Sequence, residues 1–235
     1  TTFSSGVTAS MGNLIASETK ERAYEVYKRA DFINYWLYTF TATCLLCLVE
    51  PFVAIWLGQA FVLTKAILIL AVAIYYFKGI NSGIDIAKNA AGLYYPDRFI
   101  PMAEAIANMV ISIVLAKRYG IAGVLFGTLV SFLALSFWAK PYFVCRDVFE
   151  VSFARYAVRE GREIVVSVLV AAGTWYAVSL VSLENVLLSF GVKALLALAL
   201  SNGLLLLVYF KTSEFQYLRG LLESAANRIG KRKKA

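Results

Sequence analysis

The chain has 235 residues, of which 60% are hydrophobic, with a mean hydropathy of +0.69 and a formal net charge of +8. Water-soluble domains are usually about 45–50% apolar. The excess here lies in long uninterrupted blocks, which excludes a water-soluble globular fold and predicts an all-α, polytopic membrane protein.

The first 30 residues are predicted to contain the end of a helix and a cytoplasmic connection. The chain opens TTFSSGVTASMGNLIA without an initiating Met, and this stretch is neither a signal peptide nor a full membrane span. We therefore expect a truncated helix here, so that the chain supplies the C-terminal part of a longer protein.

Residues 31–210 are predicted to form a lobe of six membrane-spanning helices. Each of six apolar stretches is long enough, or nearly so, to cross the ~30 Å hydrocarbon layer as a helix. They lie at approximately 32–57, 61–77, 100–116, 121–139, 164–183 and 186–210. The very short connections at 58–60, 117–120 and 184–185 predict that neighbouring helices pair as antiparallel hairpins.

The distribution of basic residues predicts the orientation of the lobe. Of the 23 Lys and Arg residues, 19 lie in the connections 19–31, 78–98, 140–163 and 211–235. Basic loops stay in the cytoplasm, so both ends of this chain are predicted to face inward. Residues 211–235 are predicted to form a basic amphipathic helix on the inner membrane surface, held by anionic headgroups rather than by nucleic acid.

Small residues recur at four-residue spacing in two places. Gly123, Gly127 and Ser131 form one series, and Gly79 and Gly83 belong to another. Small side chains at this spacing allow helix backbones to approach closely in lipid. We interpret both series as helix-packing positions inside one subunit rather than as a dimer interface.

Catalytic and metal centres are not predicted. The chain has no histidine, which removes the commonest general base and metal ligand. Cys44 and Cys47 have C-x-x-C spacing but lie in an apolar run, where they act as small hydrophobic residues. No carboxylate pair is seen at helical spacing inside a predicted span, and no nucleotide-binding motif is present.

Polar residues inside the apolar stretches are the candidate functional residues. Glu104 and Asn108 share one helical face at i, i+4. An ionised carboxylate facing lipid costs roughly 2–4 kcal/mol or more, so we expect this face to point to water or to the protein interior. The alternative is that Glu104 only lies near a helix N-terminus that begins around Pro101.

Other charged residues lie near the ends of predicted spans. Glu50 precedes Pro51, whose ring is expected to disturb the first span near a cavity. Lys65 and Lys193 are predicted to extend to the outer interface rather than to contact a substrate.

Four segments resemble a known family in order and spacing over residues 1–145, and from residue 146 the likeness is only hydropathic. They are SSGVTASMGNLIASETKERAYEVYKRADFINYW, PFVAIWLG, AAGLYYPDRFIPMAEAIANMVISIVLAKRYGIAGVLFGTLVS and FWAKPY. They resemble the C-terminal half of bacterial polysaccharide-biosynthesis flippases, the O-antigen and capsule repeat-unit transporters of the multidrug/oligosaccharidyl-lipid/polysaccharide flippase superfamily.

The resemblance implies a non-enzymatic transporter in the bacterial inner membrane, with two lobes around a central cavity and no cofactor. Its substrate would be an undecaprenyl-diphosphate-linked oligosaccharide, flipped to the outer leaflet by alternating access. The missing N-terminal lobe would be a partner, as would the glycan polymerase machinery. Glu104 and Asn108 would face the cavity, with Glu104 as a coupling group, and Asp97 and Arg98 would lie at its cytoplasmic mouth. Cations such as Arg98, Lys88 or Lys78 would attract the diphosphate.

Three other functions stay open from the sequence. An ion-coupled drug or small-cation exporter of the same superfamily requires an acidic residue deep in a cavity. A membrane-embedded glycan polymerase or glycosyltransferase requires a large outer loop or paired outer carboxylates. A non-catalytic scaffold subunit requires neither.

Overall fold

The structure, a computed structural model, describes residues 2–220, and these residues form helices and short connections without strands. The predicted all-α class is therefore confirmed. The α-helices are α1 (Thr2–Ser17), α2 (Lys20–Trp56), α3 (Lys65–Ile80), α4 (Ser82–Ala90), α5 (Ile100–Ala134), α6 (Ser136–Val144), α7 (Phe153–Ser179) and α8 (Val186–Tyr209). Residues 213–220 are also helical.

Five helical segments of the described chain are long and apolar enough to cross a membrane. They are Lys20–Trp56, Lys65–Ala90, Ile100–Phe149, Phe153–Ser179 and Val186–Tyr209. Large apolar side chains remain exposed on their surfaces; Leu207 of α8, for example, is 80% exposed. Helices of this length with apolar outer faces are those of a membrane protein.

The segment Ile100–Phe149 folds back on itself at Gly120. This residue has φ 56° and ψ −134°, a backbone conformation that residues with a Cβ rarely adopt. Beyond it, the Ser112 hydroxyl donates to the Val124 carbonyl at 3.3 Å. Residues 100–119 and 121–134 are therefore two antiparallel arms, as the short connection at 117–120 predicts. The number of membrane crossings and their orientation stay predictions.

Glycines set the distance between the two arms. A Cβ at Gly123 would overlap the Leu115 backbone carbonyl, and a Cβ at Gly127 would lie 2.5 Å from the Ser112 hydroxyl. Ser131 is buried and donates to the Gly127 carbonyl at 2.8 Å. These three residues of the predicted series therefore lie on the packed side of the hairpin.

The second glycine series lies where α3 and α4 approach α2. A Cβ at Gly79 would overlap the Tyr38 ring, and a Cβ at Gly83 would lie 2.5 Å from Asp31 Oδ1. Both glycines therefore bring the helix backbone directly against side chains of α2.

Two predicted boundaries are wrong. The second span begins at Lys65 rather than at residue 61, because Gln59–Phe61 forms a separate 3₁₀ turn and residues 62–64 are not helical. Residues 140–163 are largely helical rather than a connection: α6 leads into a π-helical turn, Cys145–Phe149, and α7 begins at Phe153. Hydropathy shows which residues suit lipid. A helix, however, continues into polar sequence as long as its backbone hydrogen bonds are formed.

The central helix of the bundle is α2, which contacts α3, α7 and α8 along its length. It also continues through Pro51 to Trp56 without ending. The beginning of the predicted tail returns to α2, where the Phe215 ring stacks on Trp36 at a centroid distance of 5.7 Å. The remainder of the predicted amphipathic tail, residues 221–235, lies outside the described residues.

Replacing Gly123 by Ala is predicted to destabilise the hairpin by about 1–3 kcal/mol, because the new methyl group overlaps the backbone of the other arm. The matched control is Gly203→Ala in α8, where nothing lies within 4 Å of the added Cβ. The control should be neutral or stabilising by up to about 1 kcal/mol. Thermal unfolding in lipid nanodiscs measures both, and equal midpoints would contradict the close packing.

Candidate functional site

A cavity of about 340 Å³ lies between α2, α3 and α7. The middle of the cavity wall is apolar. Its apolar lining residues come from all three helices: Ala42, Leu46, Leu68, Ile69, Val72, Ala73, Phe77, Val168, Ala171, Ala172 and Trp175. An apolar wall between helices in a membrane is suited to a hydrocarbon chain.

Three hydroxyl groups from three helices meet at one end of this cavity. Thr39 Oγ1 and Ser167 Oγ are 2.7 Å apart, and the Tyr76 hydroxyl donates to Ser167 Oγ at 2.8 Å. All three side chains are buried. The hydrogen-bonded network joins α2, α7 and α3, so this end of the cavity is polar and its three helices are held together.

Two opposite charges line the other end of the cavity. Glu50 lies about 16 Å along α2 from Thr39, given the rise of about 1.5 Å per residue, and Lys65 lies at the start of α3. The Lys65 ammonium is 5.8 Å from the centre of the Trp175 ring. Neither charge forms an ion pair with another residue in the described part of the chain. Both are therefore available to a polar headgroup.

The predicted polar face of residues 104 and 108 is directed at the chain that follows the fold at Gly120, at Thr128 of the other arm and at Ser136 of α6. The Glu104 carboxylate accepts a hydrogen bond from the Ser136 hydroxyl. Asn108 Oδ1 accepts hydrogen bonds from Ser112 at 2.8 Å and from Thr128 at 3.3 Å. Both residues are half-buried and do not line the cavity between α2, α3 and α7. Their place in a pathway between two lobes stays a prediction.

The charged residues predicted near the cytoplasmic mouth differ in their contacts. Asp97 is buried and forms an ion pair with Lys88 of α4, so that Lys88 has a fixed partner. Arg98 is exposed, and its guanidinium lies 3.9 Å from the centre of the Tyr95 ring and 4.7 Å from that of Phe99. Arg98 and its aromatic neighbours are therefore the part of this group that can meet a ligand.

A buried group of charges between α2 and α7 was not foreseen from the sequence. It consists of Asp31, Arg159, Glu160 and Glu163, which we call the acidic cluster. Arg159 donates to Asp31 Oδ2, and Arg159 Nε is 4.0 Å from Glu163 Oε1. The three carboxylate residues are only 3–5% exposed, and one guanidinium accompanies them.

The predicted span 164–183 excludes Glu160 and Glu163, so the sequence prediction did not include this carboxylate pair of α7. Glu160 and Glu163 are at i, i+3 in a helix that begins at Phe153, eleven residues before the apolar run from which the span was predicted. The i, i+3 spacing of these two glutamates directly before an apolar run could have indicated the pair from the sequence. The contribution of Asp31, 128 residues away from Arg159, has no such signal.

Replacing Arg159 by Gln is predicted to destabilise the fold by about 3–5 kcal/mol, because it leaves buried carboxylates without their cation. Adding Asp31→Asn should recover about 0.5–3 kcal/mol of this loss, since one of the uncompensated charges is then removed. The matched control is Arg155→Gln, one turn earlier on α7, where the side chain is exposed. Thermal unfolding of the four proteins measures the effect, and a mild loss for Arg159→Gln would contradict the assignment.

Comparison with known proteins assigns no family to this chain. No family model matches it, and no curated protein or solved structure matches it either. The flippase resemblance therefore stays a prediction, and the function has to be argued from the cavity, the charges around it and the membrane-protein fold.

Proposed function

We propose that this chain is one lobe of a transporter that flips lipid-linked oligosaccharides across a bacterial inner membrane for surface polysaccharide synthesis. The observation that carries the proposal is the cavity between α2, α3 and α7, which is apolar in the middle and polar at both ends. Such a lining suits a molecule in which a long hydrocarbon chain is attached to a polar head.

The physical task of a flippase explains why its cavity needs both apolar and polar surfaces. A sugar diphosphate cannot cross hydrocarbon alone, because its hydroxyl groups and charges lose water without replacement. A transporter has to supply polar partners to the head while the polyprenyl chain remains in an apolar environment. Glu50 and Lys65 provide charges at one end, and the hydroxyl groups of Thr39, Ser167 and Tyr76 lie at the other.

The predicted cytoplasmic side also has features that suit an anionic glycolipid. Arg98 is exposed beside the rings of Tyr95 and Phe99. A cation attracts a diphosphate over a distance of about a Debye length, roughly 8–10 Å at physiological ionic strength. Aromatic rings beside it offer flat apolar surfaces to sugar rings.

A drug or small-cation exporter is the second candidate. The observation that favours it is Glu50, a single carboxylate at the end of an apolar cavity. Lys65 at the same end disfavours it, because a second positive charge repels a cationic drug. A membrane-embedded polymerase or glycosyltransferase is less suitable, since the connections at 57–64, 117–120 and 180–185 are too short for a catalytic loop.

Replacing Ala171 by Trp is predicted to reduce the rate of flipping about tenfold or more. The larger side chain excludes the polyprenyl chain of the substrate from the cavity, which raises the barrier to flipping by at least about 1.4 kcal/mol. Ala171 lines the cavity from α7, whereas Ala177 lies on the same helix outside it, so Ala177→Trp is the matched control. Both changes are made in the full-length protein, and surface polysaccharide is measured in cells that lack the natural copy.

Equal polysaccharide from both variants, at equal amounts of inserted protein, would contradict the assignment of the cavity to the substrate. If Ala171→Trp instead removes drug resistance and leaves polysaccharide unchanged, the exporter is the better description.

A further inference from the structure

The turn between the two arms of α5 carries two adjacent positive charges. Lys117 and Arg118 are both exposed, and neither forms an ion pair with another residue in the part of the chain that the structure describes. The sequence between Glu104 and Asp147 contains no carboxylate, and Glu104 lies about 20 Å from Lys117 along the helix. The turn is therefore a region of uncompensated positive charge.

The backbone of this turn determines where the two charges are displayed. Gly120 adopts φ 56°, which reverses the chain directly after the two cations. Three residues later, Gly123 lies so close to the Leu115 carbonyl that even a Cβ would overlap it. The arms are therefore packed together near the turn, and the two cations lie at the end of a closed hairpin. We call residues 117–120 the cationic tip.

Apolar side chains on both arms indicate that the cationic tip lies at a membrane surface. One turn before the tip, Ile113 and Val114 are 55% and 63% exposed, and directly after it Ile121 is 64% exposed. Exposed apolar side chains on helices of membrane length face the hydrocarbon of the bilayer. Tyr119, whose ring centre is 5.7 Å from the Arg118 guanidinium, is a residue type enriched at the membrane–water interface. The cations therefore lie where the hydrocarbon ends and the headgroups begin.

The other two short connections between helices of membrane length lack this positive charge. Residues 57–64, between α2 and α3, contain no charged side chain, and residues 180–185, between α7 and α8, contain only Glu184. The distribution of basic residues predicts all three connections on the outer side of the membrane, where Lys and Arg in a short loop oppose the predicted orientation. Positive charge at this one tip therefore requires a compensating interaction with an anion.

We propose that the cationic tip binds the headgroup of an anionic phospholipid such as phosphatidylglycerol. The Arg118 guanidinium and the Lys117 ammonium would hold the lipid phosphate, since guanidinium and ammonium groups form charge-assisted hydrogen bonds with phosphate oxygens. The acyl chains would lie along the exposed apolar sides of the arms, at Val114 and Ile121. This lipid site does not rest on the proposed function.

A bound headgroup would also restrain the hairpin as a whole. Within the described residues, α5 packs mainly on α3 and α6. A headgroup at the cationic tip adds an attachment at the end of the hairpin, and this attachment comes from the membrane rather than from the protein. It fixes the depth of the tip in the bilayer, so the position of the hairpin depends on the anionic lipid content of the membrane.

Photo-crosslinking from the cationic tip tests the proposal at the site itself. Benzoylphenylalanine replaces Tyr119 in the full-length protein, which is placed in nanodiscs with equal amounts of phosphatidylglycerol and phosphatidylcholine. The reference position is Leu183, an exposed residue in the connection that contains Glu184. At position 119, we expect phosphatidylglycerol adducts to exceed phosphatidylcholine adducts about fivefold or more, because each cation near the surface attracts anionic lipid. At position 183, phosphatidylglycerol should not be enriched.

Variants with altered charge decide whether the two cations are the cause. Combining Lys117→Gln with Arg118→Gln should remove most of the enrichment at position 119, because both positive charges are lost. The matched control combines Lys117→Arg with Arg118→Lys, which preserves the charge and should retain the enrichment. In the protein with both cations, raising the salt concentration to about 0.5 M should reduce the enrichment, since the attraction to an exposed charge is screened.

Equal adducts of the two lipids at position 119, or an enrichment that persists in the double glutamine variant, would overturn the lipid site. The same crosslinking in cells distinguishes the other anionic occupant: polyprenyl-diphosphate adducts in place of phosphatidylglycerol would show that the tip receives the substrate, and the phospholipid assignment would be wrong. Because the nanodisc measurement does not involve oligosaccharide, normal flipping by Ala171→Trp would refute the proposed function and leave this lipid site intact.

Discussion

The ion pair between Arg159 of α7 and Asp31 of α2 is the contact on which the rest of the structure depends. It joins the central helix to the helix that forms one wall of the cavity, and it is buried at the predicted cytoplasmic boundary of both. Inside a membrane protein, a polar group needs a partner from the protein itself. Removing the guanidinium therefore leaves carboxylates that neither lipid nor water can compensate.

The same constraint organises the polar residues further along the bundle. Several polar groups of the apolar helices are satisfied from a neighbouring helix or arm: Ser167 by Thr39 and Tyr76, and Asn108 by Thr128. At the end of the cavity, by contrast, Glu50 and Lys65 form no ion pair within residues 2–220. This end of the cavity is therefore a place where the bundle can accept something that is not part of it.

The helices and the hairpin were predictable, whereas most of the site was not. Apolar runs of membrane length predict helices because lipid leaves the backbone no other partner, and Gly123 and Gly127 showed where two arms approach. The same hydropathy placed the start of α7 too late, because Arg159, Glu160 and Glu163 are polar yet helical, and the two glutamates are buried. Spacing also correctly put Glu104 and Asn108 on one face, but the partners of that face, such as Ser136, depend on tertiary contacts.

The most direct measurement is photo-crosslinking from the cavity wall in living cells. Benzoylphenylalanine replaces Ala171 in the full-length protein, with the same replacement at Ala177 as the reference position outside the cavity. The proposed function predicts an adduct at position 171 whose mass is that of a polyprenyl-diphosphate oligosaccharide, and little of it at position 177. Phospholipid adducts alone, in equal amounts at both positions, would contradict the claim that this cavity receives the lipid-linked substrate.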